Sequence, residues 1–110
     1  MSRLATDFLA GGLMRRAEAE GGFAAVVARG DPVAGALLVL VTSRGGEVRA
    51  LERVLGSDDR YRWQETRGAA NASELTQFLE KRRRGDPDLW IIELDVPSIE
   101  RFVAEMNSVG

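Results

Sequence analysis

Asp86-Pro87-Asp88-Leu89-Trp90-Ile91-Ile92-Glu93 decides how this chain folds. An acidic turn stiffened by Pro87 leads into an apolar run of the length and composition of a buried strand. Alternation sends Asp88, Trp90 and Ile92 to one face of that strand and Leu89, Ile91 and Glu93 to the other. A counterpart lies upstream. The stretch from Arg29-Gly30-Asp31 to Gly35-Ala36 separates two further apolar runs, Phe23 to Ala28 and Ala36 to Val41. Both runs fit strands buried on both faces. Asp31-Pro32-Val33-Ala34-Gly35 supplies the Pro and Gly of a reversal, so the two runs read as a hairpin. The three apolar strands are expected side by side at the centre of one sheet, with the last strand beside the first.

Outward from this centre the pattern weakens. Arg44-Gly45-Gly46 makes another reversal, and Glu47 to Leu55 reads as a less apolar strand nearer an edge. Gly56-Ser57-Asp58-Asp59 is a third turn. Tyr61-Arg62-Trp63-Gln64-Glu65-Thr66 alternates as a half-exposed strand does. Leu4, Phe8, Leu9, Leu13 and Ala17 recur at helical spacing. Gly11-Gly12 weakens that helix by roughly 1 kcal/mol per Gly relative to Ala. Gly12 falls near the apolar face, where close packing on a sheet would offset the cost. Gly21-Gly22 ends the helix. A second helix starts from Asn71 and Glu74 as a capping box, carries Leu75, Phe78 and Leu79 on one face, and stops at Gly85 and Pro87. Pro97 opens a third, with Ile99, Phe102, Val103 and Met106 on one face.

The order α-β-β-β-β-α-β-α defines an α+β class. One mixed, largely antiparallel sheet of about five strands carries helices packed on its faces. With 110 residues, the chain reads as a single globular domain over 1–110.

Composition excludes more than it assigns. There is no Cys and no His, so thiolate chemistry, zinc–sulfur sites and every triad built on either residue are absent. No cofactor is implied and no metal set is identifiable. Fifteen basic residues include a single Lys, Lys81, and the net charge is -2, so no global field recruits nucleic acid or an anionic membrane. Asp7 interrupts any apolar leader, and Ala36 to Val41 is far too short to cross a bilayer. The expected location is cytoplasmic.

Arg29-Gly30-Asp31 with Ala34-Gly35-Ala36, then Arg53, Trp63 and the Asp86–Glu93 string, together resemble a small alphaproteobacterial family known as domain of unknown function 1491. The resemblance runs from about Leu4 to Glu93, and the Asp86–Glu93 string is its most specific part. It implies a small α/β domain in a bacterial cytoplasm. It supplies no catalytic residue, cofactor or substrate.

Two clusters are candidate sites. Arg29, Asp31, Asp86, Asp88 and Glu93 lie around the ends of the central strands. Asp86 and Asp88 at i, i+2 have the spacing to share a Mg²⁺ with water and a phosphate. The plainer reading has Asp86 bonding its own turn while Asp88 faces water. Glu93, if buried, needs a partner, and Arg29 is the natural one. The second cluster is Arg53, Tyr61 and Trp63 on the outer strands, an exposed face or edge suited to a protein partner. Lys81-Arg82-Arg83-Arg84 sits where a helix C-terminus favours cations, and offers an RNA contact as its functional alternative.

The leading expectation is a non-enzymatic domain that binds a protein partner or forms a homodimer. The alternative is a small ligand-binding protein or Mg-dependent enzyme acting on a phosphate-containing substrate. An RNA-contacting role comes third, disfavoured by the acidic total and the lack of a stacking surface.

Overall fold

A computed structural model describes residues 5–66 and 72–108. Three helices and five strands follow the expected order: α1 (Thr6–Ala19), β1 (Phe23–Ala28), β2 (Leu37–Thr42), β3 (Val48–Leu55), β4 (Tyr61–Glu65), α2 (Ala72–Gly85), β5 (Trp90–Asp95) and α3 (Ile99–Ser108). They build one mixed sheet in the order β1-β5-β2-β3-β4. β5 runs antiparallel to β1 and parallel to β2, and the remaining pairs are antiparallel.

The sheet has two apolar faces because β2 and β5 alternate between them. Leu37, Val39, Val41, Trp90, Ile92 and Leu94 join a core closed by Ala10, Leu13 and Ala17 of α1 and by Ile99, Phe102 and Met106 of α3. Leu38, Leu40, Leu89 and Ile91 face the other way, where Leu75, Phe78 and Leu79 of α2 pack on them. All six residues of β2 are buried, as a strand covered on both faces requires. Asn71, the expected cap of α2, lies outside the described residues.

The hairpin expectation is corrected. β5 lies between β1 and β2, so the connection over 29–36 must cross one whole strand, roughly 10 Å. It does so by wrapping the entry to β5. The Asp31 amide donates to the Asp88 carbonyl at 3.0 Å, and the Trp90 amide donates to the Ala36 carbonyl at 2.8 Å. The Trp90 indole Nε1 donates to the Asp31 carbonyl at 2.8 Å. A Cβ at Gly30 or Gly35 would collide with the Asp88 carbonyl oxygen, so glycine is needed for this approach and not only for a turn.

The expectation that β1 is buried on both faces is also corrected. β1 is an edge strand, with Phe23, Ala25, Val26 and Val27 exposed. Three of its six residues are alanines, which cannot fill a central layer. On α1 the buried line is Thr6, Ala10, Leu13 and Ala17, whereas Phe8 is 61% exposed. The small side chains set the helix onto the sheet and turn Phe8 outward. Gly12 does not mark close packing on the sheet, since only the Arg15 side chain lies near the position of its missing Cβ. Gly21 ends α1 with φ +88, and the Gly22 amide returns to the Ala17 carbonyl at 2.9 Å.

Candidate functional site

The acidic and basic residues near the β5 entry come together as a structural junction. Asp31 accepts the Ala34 amide at 3.2 Å, closing its own turn. Asp86 accepts the Asp88 amide at 3.1 Å, the plainer of its two expected roles. Asp88 is exposed, and its carbonyl is the anchor for the 29–36 connection. The Arg29 guanidinium lies 5.5 Å from the Trp90 ring, a cation–π contact. Arg83 of α2 donates from Nη1 to the carbonyls of Arg29 at 2.9 Å, Pro87 at 3.3 Å and Leu89 at 2.6 Å. One guanidinium thus ties α2 to both segments.

Glu93 stands apart from this junction. The register sets Ala25 opposite Glu93 and Ala28 opposite Ile91. About four residues of strand, roughly 13 Å, therefore separate Arg29 from Glu93. Glu93 is exposed on the α2 side, and no ion pair involves it among the described residues. The expected Arg29–Glu93 pair is corrected on this ground. Among the described residues no three acidic side chains converge as a metal site would need.

The second expected cluster divides. β3 and β4 pair with Arg53 opposite Trp63 and Leu55 opposite Tyr61, so Arg53, Tyr61 and Trp63 share one face. Trp63 is half-buried and packs on the core shared with α1 and α3. Arg53 lies over the Tyr61 ring at 4.3 Å. These two line a cleft of about 410 Å³ between the start of α1, the 33–36 segment and the outer strands.

Sequence reasoning missed how differently the two edges of the sheet are finished. On β4, the Trp63 amide donates to Asn107 Oδ1 at 2.8 Å, and Asn107 Nδ2 donates to the Trp63 carbonyl at 3.3 Å. Antiparallel alternation then turns the main-chain groups of Tyr61, Trp63 and Glu65 outward, and Asn107 occupies the middle of the three. A lone Asn near a helix end carries no signal of this in the sequence. On β1 the outer edge lies on Phe-Ala-Ala-Val-Val-Ala, without charge or proline. A register shift between Val26 and Ala28 bulges Val27, the one edge-blunting device on this strand. The legible signal was the small-residue content that marks β1 as non-central.

The cations of α2 are largely engaged. Arg82 makes a bidentate pair with Glu52 of β3, both bonds at 2.5 Å, and the bound carboxylate raises the Arg82 pKa above its ordinary value. With Arg83 also committed, Lys81 and Arg84 are the exposed members of the run.

The architecture is an open five-stranded mixed sheet with two helices on one face and one on the other, a small α+β domain class. The family model described as "Protein of unknown function (DUF1491)" matches residues 4–104, and the chain belongs to the DUF1491 family. A crystal structure of a DUF1491 family protein from Caulobacter crescentus CB15 is similar at 34% identity and TM-score 0.81, covering 91% of this chain and 94% of that one. An NMR structure of a DUF1491 family protein from the same organism gives 32% identity and TM-score 0.79, covering 94% of each. The solution structure of protein Atu0922 from A. tumefaciens gives 29% identity and TM-score 0.77, covering 93% of each. The family match passes Glu93 and takes in most of α3, correcting the narrower span of the sequence resemblance. No curated protein matches the chain. Among the described residues, no helix is long and apolar enough to cross a membrane.

Proposed function

We propose that this protein is a non-enzymatic, self-associating domain in which the β1 edge of one copy pairs with the β1 edge of a second. The observation that carries this reading is the asymmetry of the edges. β4 is stopped by Asn107, whereas β1 presents a six-residue apolar edge with Phe23 75%, Val27 49% and Val26 38% exposed. Unpaired N–H and C=O groups on such an edge are a template for another strand. Among the described residues each chain has one open edge, which favours an isologous antiparallel pair that closes at two copies instead of growing into a fibre. A second copy is the partner of matching chemistry, because the edge has no charge that would select a charged peptide.

The bulge at Val27 confines regular pairing to the start of β1, so the interface is small. A dissociation constant on the order of micromolar is expected for such a contact. The absence of His and Cys, and of a described acidic triad, supports a binding role over catalysis. Nucleic acid is not the expected partner, since the net charge is -2 and Arg82 and Arg83 are engaged within the fold. The expected setting is the cytoplasm, where a chain without cysteine lacks nothing that folding requires.

Light scattering across a concentration series tests the reading. The wild type should pass from monomer to dimer, and Ala25→Lys, which sets a charge on an exposed edge position, should stay monomeric and folded. A wild-type monomer at millimolar concentration would refute it, as would a dimer untouched by Ala25→Lys.

A further inference from the structure

We propose that the cleft beside Arg53 and Tyr61 binds a small carboxylic acid with an apolar body. The site stands independently of β1 pairing, since it lies at the β3–β4 side of the sheet. Thr6 and Leu9 of α1, Val33 of the connection and Leu37 at the start of β2 form its walls with Arg53 and Tyr61. Its volume of about 410 Å³ falls within the range of small-molecule sites.

The chemistry follows from what each polar group is already doing. The Thr6 hydroxyl donates to the Gly35 carbonyl at 2.6 Å, and the Thr6 and Asp7 amides donate to the carbonyls of Val33 and Pro32. The first turn of α1 therefore offers those groups to the connection and not to a ligand. Glu52, also on the rim, is held by Arg82. Arg53 differs. It is half-buried, its guanidinium is set over the Tyr61 ring, and no carboxylate pairs with it among the described residues. Its fork matches a carboxylate in two parallel hydrogen bonds, and the stacking on Tyr61 pre-organises it. Arg53 is the single cation among the described lining residues, and one cation balances a monoanion. A phosphate monoester dianion would leave charge uncompensated there, since among the described residues no second cation lines the cleft.

The test is an NMR titration of ¹⁵N-labelled protein with 4-phenylbutyrate, and in parallel with the neutral 4-phenylbutanamide. The acid should give saturable shifts at the Leu9, Val33, Leu37 and Tyr61 amides and at Arg53 Nε, with a dissociation constant on the order of millimolar. The amide should bind roughly tenfold more weakly or worse, because it cannot accept the charged fork. Arg53→Gln should impose a similar loss on the acid, and Arg53→Lys a smaller one. No saturable shift up to the solubility limit overturns the proposal. Equal affinity for acid and amide does so too, as do shifts confined to Lys81 and Arg84. Should Arg53→Gln fail to fold, the comparison of acid and amide on the wild type decides the question alone.

Discussion

The Asn107 side chain closes a two-bond ring with the main chain of Trp63, accepting from its amide and donating to its carbonyl. A side-chain amide here does what a neighbouring strand would do, and α3 thereby ends the sheet at β4. Asn107→Ala leaves both Trp63 groups unpaired. Stability should fall by about 1 kcal/mol in urea unfolding, and the Trp63 amide should exchange faster. The variant should also form species larger than a dimer at high concentration, because each chain then has two open edges.

Arg82 and Glu52 join α2 to β3 with both bonds at 2.5 Å, and the side chains are only 32% and 18% exposed. Arg82→Ala removes the fork and leaves a half-buried carboxylate without its partner, which should cost about 2 kcal/mol. Arg82→Lys should recover less than half, since a point charge cannot make both bonds. Chemical denaturation of the three proteins measures this directly.

Gly30 and Gly35 press against the Asp88 carbonyl, where a Cβ has no room, whereas Gly45 sits at φ +74 with open space around it. Gly30→Ala should therefore cost more than about 2 kcal/mol, because backbone would have to move. Gly45→Ala should cost only about 1 kcal/mol, from the unfavourable φ. Equal losses at the two positions would contradict the close approach.

Much of this junction was legible in the sequence, but not its meaning. The Gly and Asp residues of 29–36 and 86–88 were readable as turns, and the alternation of Leu89 to Leu94 correctly divided the two cores. That the two turns are one structure was not readable. Strand order is decided by long-range pairing, and local turn chemistry looks the same whether the next strand is a neighbour or one place away. The same limit misplaced Glu93. Strand alternation assigned its face, but whether that face was covered depended on where α2 lands. On α1, Phe8 fitted the apolar spacing as well as Ala10 did. Packing selected the smaller residue because the helix lies close to the sheet.

Asp58 and Arg62 form a two-bond pair across the β3–β4 turn, at 3.1 and 2.7 Å. The Arg62 guanidinium, followed by the Arg60 amide, lowers the Asp58 carboxyl to about 2. Because the folded pKa lies below the unfolded one, the pair's contribution is complete above about pH 4 and is lost as pH falls through about 2. An NMR pH titration should find the Asp58 midpoint near 2, and Arg62→Gln should return it toward about 4. High salt should blunt the shift, since the pair is exposed.

Hydrogen exchange at β1 tests the paired edge most directly. Among Phe23 to Ala28, the amides that do not bond β5 face outward, and in a monomer they exchange as fast as solvent-exposed backbone allows. Measured at low and at high protein concentration, they should gain protection as concentration rises, with the same midpoint that light scattering gives for dimer formation. The Trp63 amide, held by Asn107 in either state, should not change. Outward β1 amides that remain unprotected while the protein dimerises would show that the copies meet elsewhere, and would contradict β1 pairing.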